Sequence, residues 1–364
     1  MKIAQLSPLY ESVPPVLYGG TERVVSWLTE ELVRMGHDVT LFASGDSVTT
    51  ARLVPMCPTA LRLDPRCKDA VAHHIIMMEE VFRQAPNFDL IHSHVDYLHF
   101  SLSRRTSTPC VSTLHGRLDI PDLVPLYQNF REMPVVSISD AQRSPLPWAN
   151  WQGTVHHGMP AQLLKLEKGN GGYLAFLGRI SPEKGVDDAI KIARRAGMPL
   201  KMAAKVDQAD REYFENRVKP LLKDNSVEFI GEIGHDEKNA FLGNAAALLF
   251  PICWPEPFGL VMIEAMACGT PVIAYRHGSV PEVLEDGVTG FIVSDVNGAV
   301  NAVRRLSEID RKACRRHFER YFSDERMALD YMAIYEKLVR GEPSTLTLND
   351  GVLSWTDLLP NSTT

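Results

Sequence analysis

Hydrophobic residues fall in two alternating patterns along this chain: short unbroken apolar runs, and longer stretches in which they recur every three or four positions. The first pattern reads as buried strands and the second as helices with one buried face. Residues 1–7 predict a first strand, a loop leads through Gly19-Gly20-Thr21-Glu22-Arg23 to a helix ending near Gly36, and residues 37–43 predict the next strand. A helix over 68–84 and strands over 88–93, 108–114, 135–138 and 153–156 extend the series. It restarts with a strand at 173–177, a helix over 186–196, a strand over 200–204, a helix over 207–222 and a strand over 227–230. Next come a helix over 236–245, a strand over 247–250, a helix over 258–267 and a strand over 272–274. A helix begun near Ser279 and a strand over 290–293 close the series. Such alternation predicts α/β architecture, with parallel sheets that bind ligands at the carboxyl ends of their strands.

At 364 residues the chain is long for one core, so two domains are expected. The two series are separated by a segment ending in Gly169-Asn170-Gly171-Gly172. The expected boundaries are a first domain over 1–160, a linker over 161–172 and a second domain over 173–322. A C-terminal helix over 323–340 and a loosely ordered or docked tail over 341–364 follow. A composition of 45% hydrophobic and 23% charged residues is that of a soluble globular protein. The net charge of −7 gives no basic footprint for nucleic acid. No apolar run reaches the roughly 18–20 residues that span a bilayer, and the first residues read as a strand rather than a signal peptide. Six scattered cysteines with no CxxC pair read as free thiols in a reducing compartment, so a cytoplasmic location is expected.

The candidate chemistry centres on strand Ala247–Phe250 and the loop and helix after it. Pro251, Pro255 and Pro257 end the strand, and helical periodicity resumes near Phe258. Glu256 precedes the helix and Glu264 lies two turns further on. Between them the amides of Phe258, Gly259 and Leu260 are expected in the first turn, where unpaired N–H groups and the helix dipole suit phosphate. By spacing alone this is equally an ordinary strand–loop–helix unit. His115 ends a strand behind Cys110-Val-Ser-Thr-Leu114, facing the expected crevice, or else merely bonds a loop. Gly19-Gly20 at a helix entrance can present amides to phosphate or simply make a tight turn. Arg179 and Lys184 flank one loop and would suit adjacent phosphates, or form a charged turn. His92 and His94 share a strand face and raise zinc, but no HExxH, Cys pair or third carboxylate accompanies them, so packed histidines and no metal are expected. Asp207 is expected to cap a helix, and Lys205 to reach a ligand. On the helix near residues 311–316, Arg311, Lys312, Arg315 and Arg316 read as a solvated face, with contact to an anionic membrane surface as the other reading.

The string Glu256-Pro-Phe-Gly-Leu-Val-Met-Ile-Glu264 resembles the donor-binding motif of retaining GT-B glycosyltransferases, specifically glycosyltransferase family 4. Gly178-Arg-Ile-Ser-Pro-Glu-Lys-Gly185 resembles that family's diphosphate loop, and Ser112-Thr-Leu-His-Gly116 its active-site histidine. The likeness covers most of the chain. It implies two Rossmann-like parallel-sheet domains facing a central cleft, with the C-terminal helix over 323–340 crossing back to the first, His115 and Glu256 at the donor sugar and Glu264 at the ribose. Arg179 and Lys184 would neutralise the diphosphate, and Gly20, Phe258, Gly259 and Leu260 would lie along phosphate and sugar. His156-His157-Gly158-Met159 departs from the Asn-Gly-Val-Asp string of many members, and Lys205-Val206-Asp207 replaces a glycine-rich turn.

The function implied is transfer of a hexose-like unit from a nucleotide diphosphate sugar to an acceptor hydroxyl with retention of configuration. A UDP-sugar is the expected donor. The acceptor, whether saccharide, lipid or small molecule, carries no motif. No D-x-D string is present, so metal-independent transfer without a cofactor is expected. A glycosidase would also use two carboxylates but has no need of the basic loop. A nucleotide-sugar epimerase of similar architecture and a non-catalytic nucleotide-sugar binder are the alternatives. Peripheral contact with the inner membrane surface stays open.

Overall fold

The computed structural model describes residues 1–222 and 226–342; the tail expected over 341–364 lies, beyond Glu342, outside the described residues. The chain packs as two compact units. Of the described residues, the first holds Met1–Pro14, Thr21–Val155 and residues 328–342, and the second Pro15–Gly20 and His156–Met327.

The first unit is built on seven parallel strands: β1 (Lys2–Leu6), β2 (Asp38–Ser44), β3 (Arg52–Cys57), β4 (Leu90–Ser93), β5 (Cys110–Thr113), β6 (Val135–Ser137) and β7 (Trp151–Thr154). Their order is β3-β2-β1-β4-β5-β6-β7, so the direction of winding reverses between β1 and β4. That reversal opens a crevice at the carboxyl ends of these two strands. Strand β3 was not expected, because Pro55 interrupts its apolar pattern. It lies at the sheet edge, where a residue without an N–H costs no ladder bond. A helix at Leu123–Asn129 was likewise hidden by Pro125.

Helix Ala70–Arg83 starts at Asp69, whose carboxylate accepts from the amides of Val71 and Ala72 at 2.9 and 3.3 Å. Its buried Met77, Met78 and Val81 join Leu6, Phe42 and Ile91 in one core on the sheet. The C-terminal helix Asp324–Val339 sets Tyr331 and Tyr335 one turn apart on one face, and both are fully buried in this unit.

The second unit has six parallel strands: β8 (Leu174–Arg179), β9 (Leu200–Lys205), β10 (Val227–Gly231), β11 (Ala247–Phe250), β12 (Val272–Tyr275) and β13 (Gly290–Val293). The order β10-β9-β8-β11-β12-β13 places the reversal between β8 and β11. Arg179 ends β8, and the loops leaving the two strands carry Lys184 and Glu256.

Two expectations fail here. The helix over 207–222 is instead a broken series of short 3-10, α and π turns, Gln208–Leu222, with Pro220 inside the last turn. Asp207 makes no cap; its carboxylate turns back to Lys205 at 3.1 Å.

The basic helix also departs from expectation. Arg311 and Arg315, on helix Arg311–Tyr321, are not on a solvated face. Arg311 donates to the carbonyls of Glu167, Gly243, Ala245 and Cys268 at 2.8–3.3 Å and to Thr270 Oγ1 at 2.7 Å. Arg315 donates to the carbonyls of Ala161, Leu164 and Ala267 at 2.6–2.8 Å. Gly243 and Ala267 end two helices, so the guanidiniums satisfy carbonyls that have no helical partner and oppose the negative ends of two dipoles. Lys312 and Arg316 alone of the four stay exposed. The stretch 161–172 is bonded along the same unit, its Glu167, Gly169 and Gly171 amides donating to Cys268, Gly243 and Asn244. No helix among the described residues is long and apolar enough to cross a membrane.

Candidate active site

In the second unit the loops after β8 and β11 are tied together by backbone. The Cys253 amide donates to the Glu183 carbonyl at 3.0 Å. Gly185 has φ 67°, and a Cβ there would stand 1.9 Å from the Pro251 carbonyl oxygen. No other residue fits that approach. The strap brings two sequence-predicted residues into contact: the Lys184 ammonium donates directly to Glu256 Oε2. Trp254 Nε1 donates to the same oxygen at 2.9 Å, and the Lys184 ammonium lies 5.1 Å from the Trp254 ring centre. The Glu256 carbonyl accepts from the Ser279 amide at 3.0 Å.

The helix after this loop begins at Leu260, not at Phe258. Gly259 is its N-terminal boundary at φ 83° and ψ 68°, a left-handed conformation that turns the chain into the helix. Leu260 and Val261 therefore supply the opening amides. Phe258 lies ahead of the first turn as a packed residue, its ring 4.8 Å from that of His157 and its carbonyl accepting from Ser279 Oγ at 2.7 Å. The histidines standing where many members carry Asn-Gly-Val-Asp thus pack on the motif, and His156 also meets Glu282 at 3.1 Å. Gly20 belongs with this unit, and a Cβ on it would come 3.6 Å from Leu260 Cδ1.

Glu264 is buried. Its Oε1 accepts from Lys238 at 2.6 Å, while Oε2 is buried with no hydrogen-bond partner. An orphaned carboxylate oxygen inside a protein is costly unless a hydroxyl or amide comes to meet it. Arg179 closes β8 among three carboxylates: it contacts Glu183 directly, with Asp210 at 3.6 Å and Asp207 at 3.8 Å. Burial opposes its charge, yet Asp210 and Glu183 raise its pKa overall. Lys205 pairs with Asp207 and lies 5.1 Å from the ring centre of Tyr18. Lys238 and Trp254 were missed in the sequence. Only proline spacing marked the loop that holds Trp254, and nothing marked Lys238.

In the first unit the residues at the β1/β4 reversal form a separate cluster. His115 Nε2 lies 2.9 Å from His94 Nδ1, and His94 Nε2 lies 2.9 Å from Gln5 Oε1. His92 bonds Tyr335 Oη at 2.6 Å and Thr113 Oγ1 at 2.8 Å. Among the described residues no group of three or more His, Cys, Asp or Glu side chains could hold a metal ion. Burial pushes the His115 imidazole down to about 3, so its ring is neutral. Asp96, at φ 49°, is the one non-glycine residue with positive φ among the described residues. Burial raises its carboxyl to about 6, against the opposing pull of the His115 backbone N–H that it accepts. Backbone strain of this kind gathers at functional sites, and no local pattern around Asp96 announces it.

Comparison with known proteins agrees with both halves. Residues 164–321 match the family model described as Glycosyl transferases group 1, and residues 18–149 the one described as Glycosyltransferase Family 4. The chain is 27% identical to a glycogen synthase of Mycobacterium tuberculosis, over 87% of this chain and 88% of that one. A sucrose-phosphate synthase from Thermosynechococcus elongatus superposes with a TM-score of 0.77 at 21% identity, covering 94% of this chain and all 100% of its own. An Anabaena protein in complex with UDP-glucose superposes with a TM-score of 0.69 at 19% identity, covering 93% and 100% of the two chains. Two Rossmann-like units, one matched by each family model, make this chain a GT-B glycosyltransferase of family 4, a member of the glycosyl transferases group 1.

Proposed function

We propose that this glycosyltransferase moves a hexose-like sugar from a nucleotide diphosphate sugar to an acceptor hydroxyl, with retention of configuration and without a metal ion. The observation that carries this reading is the meeting of Lys184 and Glu256 at the β8/β11 reversal, with the half-satisfied Glu264 on the helix that follows. Lys184 and Arg179 would take up charge building on the departing diphosphate, the largest electrostatic demand of the reaction. Glu256, released from Lys184 as phosphate takes that partner, would accept from the sugar hydroxyls. Glu264 Oε2 would accept from the ribose. The opening amides of Leu260 and Val261 suit a phosphate oxygen.

His115 would contact the sugar as a neutral ring. No carboxylate base is assigned, because the leaving phosphate can itself take the acceptor proton. UDP is the expected nucleotide, in line with the Anabaena neighbour that holds UDP-glucose.

The test is a thermal-shift screen with UDP, GDP, ADP and their sugar conjugates, with and without a divalent ion. A ligand that binds the folded state alone raises the melting point by mass action. Stabilisation by one nucleotide without metal, followed by an acceptor screen whose product keeps the donor's anomeric configuration, is the expected result. An epimerised donor formed without any acceptor would favour an epimerase instead, and no shift at millimolar ligand would overturn the donor site.

A further inference from the structure

Seven buried or half-buried groups at the β1/β4 reversal of the first unit are joined by one unbroken run of hydrogen bonds. Each group can be both donor and acceptor, and at a neutral histidine ring the direction of one bond sets the other. With the Gln5 amide oriented as here, its Oε1 accepts from His94 Nε2, and its Nε2 donates to Tyr335 Oη at 3.3 Å. His94 thus carries its proton on Nε2 and offers the Nδ1 lone pair to His115, so His115 must hold its proton on Nε2. On the other side the same sense can continue, with Tyr335 donating to His92 Nδ1 at 2.6 Å, His92 Nε2 to Thr113 Oγ1 at 2.8 Å, and Thr113 to Tyr331 Oη at 2.8 Å. Every bond then runs the same way, from His115 to the C-terminal helix.

We propose that His94 is a positioning residue that holds His115 in the Nε2–H tautomer, so that Nδ1 is the ring's acceptor nitrogen toward the sugar, and that the orientation of the Gln5 amide, whose Nε2 donates to Tyr335 Oη, sets this polarity. This rests on the donor-site reading of His115. The arrangement is self-consistent only for neutral rings, because an imidazolium at His94 would donate from both nitrogens and turn the bond to His115 around. Desolvation keeps His92 and His115 neutral. A reversed Gln5 amide would invert every bond and move the His115 proton to Nδ1, so the tautomer of this one ring reports the polarity of the whole run.

The experiment is long-range proton–nitrogen NMR of the full chain labelled at histidine, without ligand, on the wild type and on His94→Phe, His94→Asn and Tyr335→Phe. Asparagine places an acceptor oxygen near the position of Nδ1; phenylalanine does not. The expected result is a pure Nε2–H pattern for His115 in the wild type and in His94→Asn, and a mixed pattern in His94→Phe and Tyr335→Phe. In steady-state transfer, kcat of His94→Phe should fall about tenfold, roughly one hydrogen bond's worth, with little change in donor KM, and His94→Asn should restore most of it. An Nδ1–H ring in the wild type, or an unmixed Nε2–H pattern in both phenylalanine variants, would overturn the proposal. Because the tautomer is read on free protein, it stands or falls separately from donor binding. A pure Nε2–H pattern in the wild type and a mixed one in His94→Phe, alongside unaltered kcat in that variant, would sink the donor role of His115, not the polarity of the run.

Discussion

The Lys184 ammonium and the Glu256 carboxylate are direct partners although 72 positions separate them in the chain. Each thus neutralises the other where the two loops of the reversal meet. A phosphate and a sugar entering together would exchange one charge-assisted contact for two.

That exchange predicts a split between binding and turnover. Lys184→Ala should weaken nucleoside diphosphate binding about 10–100-fold, the scale of one charge-assisted contact. Glu256→Gln should leave that affinity within about threefold and lower kcat about 100-fold or more. Because the pair is in contact, the double variant should lose less than the sum of the two. Calorimetry with the nucleotide and initial rates with the sugar donor check this, and equal losses in both assays for both variants would refute it.

The buried Lys238–Glu264 pair predicts an asymmetry in stability. Lys238→Met strands a buried carboxylate and should cost about 3–5 kcal/mol. Glu264→Gln leaves an exchangeable amide in its place and should cost less, and the double variant should recover part of the Lys238→Met loss. Urea denaturation midpoints of the three proteins decide the matter, and a Lys238→Met midpoint matching the wild type would show the pair to be dispensable.

Asp96 predicts a pH slope. Its folded pKa, near 6, stands above the usual carboxylate value near 3.8, so the folded state holds this proton more tightly than the unfolded chain. The stabilisation it brings is whole below about pH 3.8 and fades as pH rises through 6. Asp96→Asn, which keeps a neutral amide at the strained φ, should flatten that part of the profile. Melting temperatures of both proteins between pH 4 and 8 would show it, and parallel profiles would rule it out.

Arg311→Met should lower stability by roughly 2–4 kcal/mol, since it strips the Glu167 and Ala245 carbonyls of their donor and loosens those of Gly243 and Cys268, which keep a backbone amide. Lys312→Met, one position on and exposed, should change stability by less than about 0.5 kcal/mol. Chemical denaturation of the two variants side by side tests the contrast, and equal stabilities would mean that the guanidinium is replaceable.

Strands with clean apolar runs, such as Ala247–Phe250, were legible at once, and so was helix Val186–Ala196 with its polar and apolar faces. Strand β3 and helix Leu123–Asn129 were not, because Pro55 and Pro125 look like breaks until the sheet edge or the first helical turn that tolerates them is known. The predicted helix start at Phe258 slipped by two residues, since Gly259 can both continue a helix and begin one. Lys184, Glu256 and Glu264 could be named from their motifs, but their partners could not. Lys238 reaches Glu264 from another helix, and the Gln5–Tyr335 bond joins residues 330 positions apart. Arg311 and Arg315 read as surface charge because composition does not reveal which carbonyls a fold leaves bare.

Those two arginines also decide where this protein can be cut. A fragment begun at Tyr173, where the hydrophobic alternation restarts, would lack the carbonyls of Ala161, Leu164 and Glu167 to which they donate. Any cut meant to keep the second unit's core whole therefore belongs upstream of that stretch, near His156, so that the lead-in travels with the carbonyls the arginines need.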